Sequence, residues 1–170
     1  MFLICGISSF ITYFLADYIE YKGKSLKYSK FLSYSSVILL LISAIGLIVF
    51  SPKWHIPLYV KLIFLVLSII AFIFLYKALF VEVAFYKDKK EKIIKTGIYK
   101  LCRHPGVLLL FLLLFFLSLS SGSIYLFCCA FLFSALNFFI AVFEDKIFLP
   151  HKFKEYEEYK KNTPFLFPKL

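Results

Sequence analysis

Across positions 106–143 the 170-residue chain has no Asp, Glu, Lys or Arg, and over its whole length only 18% of residues are charged. Soluble domains carry about a quarter charged residues, so this shortage excludes an ordinary soluble surface. Cysteine is also scarce. Cys5, Cys102, Cys128 and Cys129 form no C-x-x-C and no Cys/His spacing that holds zinc, so neither a disulfide framework nor a metal site is expected. Acidic residues number 10 against 20 basic ones, a net charge of +10. In a soluble protein that excess raises the question of nucleic acid, but here the basic residues avoid the apolar runs and cluster between them, the pattern of membrane topology.

What is abundant is apolar and aromatic. Hydrophobic residues make up 62% of the chain, with 23 Phe and 12 Tyr, and the mean hydropathy is +0.87. Disorder needs the opposite composition. The expected fold is all-α, a polytopic integral membrane protein in one short chain, with N-terminal helices over 1–85 and a second region over 86–170.

Five apolar segments are legible, at 2–19, 31–50, 58–81, 106–119 and 124–143. A spanning helix needs about 20 residues for a 30 Å hydrocarbon core. The fourth reaches that length if it begins near Leu101, which puts Arg103 and His104 in its first turn at the interface. Ser120, Ser121, Gly122 and Ser123 mark a hairpin turn between the last two segments. The first segment has no basic residue before it and no small-x-small cleavage site, so it reads as a retained helix rather than a signal peptide. Seventeen Lys and Arg residues fall on one side of this arrangement. Lys53 and Lys61 fall on the other, and Lys77 stays within the third helix. The positive-inside rule then predicts an outside N-terminus and a cytoplasmic C-terminus, with Trp54 at the outer interface.

This layout brings Arg103-His104-Pro105 and Glu144-Asp145 to the same membrane surface, one at each end of the hairpin. At 1.5 Å per residue the first arm spans about 24 Å and the second about 32 Å, so the acidic pair is expected roughly 8 Å farther out, leaving room for a small molecule. Pro105 suits the first helical position, because its missing N–H is unpaired there in any case. The free amides of Gly106, Val107 and Leu108 with Arg103 and His104 then make an anion site. Glu144 and Asp145 supply the opposite sign, so the set suits a zwitterion such as an amino acid headgroup. The plainer alternative is an interfacial anchor or solvated ion pair.

Around these residues Thr96-Gly97-Ile98-Tyr99-Lys100-Leu101-Cys102-Arg103-His104-Pro105 resembles the G-P-Y-R-x-x-R-H-P motif of the isoprenylcysteine carboxyl methyltransferase and phospholipid methyltransferase superfamily. Glu144-Asp145 stands where that family has an E-E pair. Tyr156-x-x-Tyr159 and Thr163-Pro164-Phe165-Leu166-Phe167-Pro168 are similar to its tail. The resemblance, covering about residues 94–170, implies S-adenosylmethionine bound at the cytosolic face, with Gly97, Tyr99, Arg103, His104 and Pro105 on one wall and Glu144 and Asp145 on the other. It implies a lipophilic acceptor entering from the bilayer: a prenylcysteine carboxylate, a phospholipid amine or a small thiol. Membrane lipids are then partners and nucleic acid is not. Departures from the pattern are Ile98 for Pro, Lys100 for Arg, Val107 for Tyr, Leu109 for Gly, Asp145 for Glu and Phe165 for Arg. Glu144 is the residue expected to be most sensitive, and the one placed to take a proton from an amine acceptor.

Two other readings stay open. Membrane sterol and steroid reductases share an R-H-P-N-Y element and a similar tail and use NADPH, but this chain has Gly106-Val107 in place of Asn-Tyr. A non-catalytic relative that keeps the fold is the other. Among remaining polar residues, Asn137 reads as a helix-helix hydrogen-bonding group, Lys77 and Glu82 as snorkelling, His55 as interfacial and Cys102 as an apolar filler. The segment 152–161 reads as an amphipathic surface helix, and the loop 86–95 as a contact for anionic headgroups.

Overall fold

The computed structural model describes residues 1–82 and 97–167. The loop 86–95, the side chain of Glu82 and Pro168 lie outside the described residues. Helix α1 (Phe2–Tyr21) turns back through Gly23, at φ 67°, into α2 (Leu26–Val49). After 50–57 comes α3 (Leu58–Tyr76), which widens into a π turn, Lys77–Glu82. A 3-10 turn at Gly97–Lys100 precedes α4 (Pro105–Ser121) and α5 (Ile124–Phe143). From α5 the chain continues through a second π turn, Glu144–Phe148, to the short α6 (Leu149–Lys152) and then to α7 (Tyr156–Asn162). The fold is all-α and polytopic. Four helices are long and apolar enough to cross a membrane, and α4, at 17 residues, is a shorter apolar one.

The start of α4 differs from the expected position near Leu101. Cys102 to His104 are non-helical, because Pro105 crowds the residue before it out of the α region. The Arg103 and His104 amides are also taken by the tail, donating to Pro164 and Phe165 carbonyls at 2.9 and 3.2 Å. Pro105 takes the first helical position as expected. At the other end, Gly122 caps α4 with φ 67°, and the Ser123 hydroxyl accepts the Leu126 amide, so the hairpin turns at 120–123. Only a residue tolerant of positive φ closes that turn without strain.

The core is made where α1, α2 and α5 cross. Phe133 of α5 is fully buried over Gly6 of α1, and a Cβ at Gly6 would lie 2.1 Å from its ring. Gly46 of α2 receives Phe2 in the same way. Ser43 donates to the Phe2 carbonyl at 2.8 Å and Ser123 to the Leu47 carbonyl at 2.8 Å. In lipid such groups have no water to turn to and must be satisfied within the protein.

The hydrogen bonds also fix which turns share an end. Trp54 donates to the Gly122 carbonyl at 2.9 Å, so the N-terminus, the loop 50–57 and the hairpin turn lie together. The α1–α2 turn, the end of α3, the motif turn, the end of α5 and the tail lie at the opposite end. The tail helix forms, but shorter than 152–161. Phe153 breaks it with extended backbone, and Tyr156 and Tyr159 turn inward to full burial instead of outward to lipid.

Candidate functional site

The site is assembled from both ends of the α4–α5 hairpin, the tail and α1. Arg103, immobilised by its own amide on Pro164, also sends Nη1 to the Lys160 carbonyl at 3.1 Å. Its Nε stands 3.0 Å from Asp145 Oδ1. The same oxygen accepts the Tyr156 hydroxyl at 2.6 Å and lies 3.5 Å from His104 Nε2, while Lys160 Nζ is 3.5 Å from Oδ2. Asp145 is 4% exposed, so its charge is offset by the groups around it rather than by water.

Glu144 has different company. Its Oε2 is 3.4 Å from His104 Nδ1, and its Oε1 accepts the Tyr13 hydroxyl of α1 at 3.1 Å. The carboxyl of Asp17, one turn on along α1, lies against it. Glu144 keeps 18% of its side chain accessible against 6% for Asp145. The two walls are therefore in contact, not about 8 Å apart as the arm lengths predict. Arg103 and His104 lie before α4 on non-helical backbone tied to the tail, and from there they meet Glu144 and Asp145 at the end of α5.

Electrostatics follow from this packing. Burial on its own pushes the His104 imidazole down, but hydrogen bonds and charge from Asp145 and Glu144 outweigh it, and the net direction is up. Burial, followed by the Asp145 carboxylate, pushes the Tyr156 hydroxyl well up, so it remains a donor. Burial also pushes the Cys102 thiol up, in keeping with a 3%-exposed apolar filler. Three buried atoms make no well-aligned hydrogen bond among the described residues: Arg103 Nε and His104 Nε2, which meet Asp145 as ion pairs, and Asp17 Oδ2.

The structure thus brings Arg103, His104, Pro105, Glu144 and Asp145 together. Tyr99 and Gly97 stand beside them on the 3-10 turn. The Tyr99 hydroxyl donates to the Ala78 carbonyl at 3.3 Å and its own carbonyl accepts the Tyr159 hydroxyl at 2.5 Å, bracing the motif against α3 and the tail. Phe165 packs on the His104 ring at 5.0 Å and beneath the Arg103 guanidinium at 5.8 Å. Asn137 is half-buried on α5, Lys77 is exposed, and His55 is exposed at the far end of the molecule. Among the described residues no cluster of His, Cys, Asp and Glu could hold a metal.

Tyr13, Asp17 and Lys160 are the site residues that sequence reasoning does not single out, while Tyr156 appears there only as part of the tail motif. For Asp17 a signal exists, a lone carboxylate inside the apolar run 2–19, which in a membrane helix points to function by default.

The chain matches no curated protein and no solved structure. Residues 56–156 match the family model for phospholipid methyltransferase, a stretch that runs from α3 through the motif turn, the hairpin and the acidic pair to Tyr156. That is more than half of the chain, and it contains every residue of the Arg103-His104 and Glu144-Asp145 walls: the chain belongs to the phospholipid methyltransferase family of membrane methyltransferases.

Proposed function

We propose that the chain transfers a methyl group from S-adenosylmethionine to a lipophilic acceptor that reaches the site from the bilayer, a prenylcysteine carboxylate, a phospholipid amine or a small thiol. The observation that carries this reading is the apposition, in one buried cluster at the start of α4, of the cationic Arg103 and His104 side chains with a carboxylate, Glu144, that is still partly accessible. An amino acid headgroup has both signs of charge at one end. The amide of Gly106, which at the second position of α4 has no helical acceptor, lies next to Arg103 and His104 in the chain and is suited to the headgroup's carboxylate. Glu144 is suited to its ammonium. Gly97 and Tyr99 shape the wall beside them.

S-Adenosylmethionine supplies an electrophilic methyl group on a sulfonium. The protein's own task is to hold the acceptor in line with that methyl and to keep water out, for which proximity and a dry site provide most of the rate. Phe138 and Phe165, 5.8 Å apart, give the cluster an apolar side. A carboxylate or thiolate acceptor needs no proton removed. For an amine acceptor Glu144 is the proton-accepting group. The count of basic residues supports placing this end of the molecule in the cytoplasm.

The test is thermal unfolding of the detergent-purified protein with S-adenosylmethionine, S-adenosylhomocysteine or NADPH. Ligand at 100 times its dissociation constant stabilises by about 2.7 kcal/mol. Stabilisation by the first two and not by NADPH is expected, and stabilisation by NADPH alone would replace this reading with a reductase.

A further inference from the structure

Helix α1 lies wholly before the residues that match the family, yet it places a second carboxyl against Glu144. Asp17 is 8% exposed and its carboxyl hydrogen-bonds that of Glu144, which takes one proton shared between the two, while its Oδ2 has no other partner among the described residues. The two carboxyls together offer four oxygens. The Tyr13 hydroxyl occupies one and His104 Nδ1 lies near another. Lys152, whose charge reaches Asp17, is held at 2.6 Å by Glu20. Asp145 takes no part, because its oxygens are engaged by Arg103, Tyr156 and Lys160. Even with the shared proton an acceptor is left over, in a buried place where an unfilled acceptor costs free energy.

We propose that Asp17 and Glu144, one from α1 and one from the end of α5, form a two-carboxyl site for a substituted ammonium group. A primary ammonium fits the pair in charge, having three N–H donors and no acceptor, and takes the place of the shared proton, which leaves to water. The sequence neighbours Glu144 and Asp145 thereby divide the work: Asp145 ties the tail to the motif, and Glu144 pairs with a residue 127 positions earlier to face the ligand. The ammonium belongs either to the amino acid end of the cofactor or to the acceptor's headgroup. This inference rests on the methyltransferase reading only for which ligand carries the group.

Binding to the full, detergent-purified chain separates the cases. The probes are S-adenosylhomocysteine and methylthioadenosine, which lacks the amino acid end and with it the ammonium, with dodecylamine and its counterpart dodecanol. The Asp17→Asn variant, isosteric and neutral, is expected to lose at least tenfold in affinity for an amino-bearing probe and to keep its affinity for the counterpart. Asp17→Ser serves if the Asn variant does not fold. Loss on S-adenosylhomocysteine assigns the ammonium to the cofactor, and loss on dodecylamine assigns it to the acceptor. If the parent ignores S-adenosylhomocysteine but binds dodecylamine through Asp17, the methyltransferase reading fails and the ammonium site stands. If the variant binds both amino probes as tightly as the parent, or the parent binds neither, the site is overturned.

Discussion

Asp145 and Glu144 are adjacent carboxylates whose surroundings call for opposite responses to substitution. Asp145 is enclosed by Arg103, His104, Lys160 and Tyr156, and removing one partner of a buried ion pair costs about 3 to 5 kcal/mol because the other charge is left uncompensated. Asp145→Ala is therefore expected to lower the unfolding free energy by about 3 kcal/mol, measured as a fall in denaturation midpoint, whatever ligand is present. Glu144→Gln should leave the fold standing and weaken S-adenosylhomocysteine binding about tenfold to hundredfold, the equivalent of a charge-assisted hydrogen bond of about 1.5 to 3 kcal/mol. His55→Gln, at the far end, should bind like the parent in the same titration. Unchanged affinity in Glu144→Gln would reduce the acidic pair to an anchor. His104 adds a pH dependence. Its folded pKa lies above the ordinary value of 6.5, so the stabilisation is fully present below that value and is lost as pH rises through the folded pKa. Melting temperature should fall over that upper window in the parent, and the slope should flatten in His104→Gln.

At the scale of elements, α1 is held by close approach as much as by apolar burial. The Cβ introduced by Gly6→Ala would meet a Phe133 ring that is itself fully buried and has nowhere to move. Overpacking of this kind costs about 1 to 3 kcal/mol. Thermal unfolding should show that loss for Gly6→Ala and much less for Ser8→Ala two residues on, where the side chain is half-buried. Because α1 also carries Tyr13 and Asp17, the Gly6 variant tests whether its seating matters to ligand binding. The elements themselves were legible: five apolar runs gave five helices, Pro105 marked a helix start and Ser-Ser-Gly-Ser a hairpin. That the two walls share one end of the molecule was legible too, since topology alone brings Arg103-His104 and Glu144-Asp145 to the same surface, but their direct contact was not. The π turn was not, because Glu144–Phe148 continues the helical pattern without a break in composition and its extra residue per turn is set by what it packs against. Nor was the pairing of Tyr13 with Glu144, 131 positions apart. Periodicity reports the face a residue occupies within one element and leaves no local mark of the partner it meets in another.

For the molecule as a whole, the question with most consequence is which side of the bilayer the site faces. Among the described residues, the lysines after α1 and after α5, with Lys100 and Arg103 before α4, sit at the end that carries the site, and Lys53 with Lys61 sits at the other. Translocating seventeen basic residues in short flanks opposes the bias that sets orientation, whereas two do not. The site end is therefore expected in the cytoplasm, the side from which the proposed methyl donor would be drawn. Two exposed positions report on it: Lys24 in the α1–α2 turn and Lys53 in the loop after α2. In a background where Cys5, Cys102, Cys128 and Cys129 are replaced by Ala, Lys53→Cys should react with a membrane-impermeant maleimide on intact cells. Lys24→Cys should react only after permeabilisation. The reverse pattern would put the site outside and remove the support that charge distribution gives to a cytosolic methyl donor, while an equal reaction of both from one side would overturn the two-ended arrangement of the five helices itself.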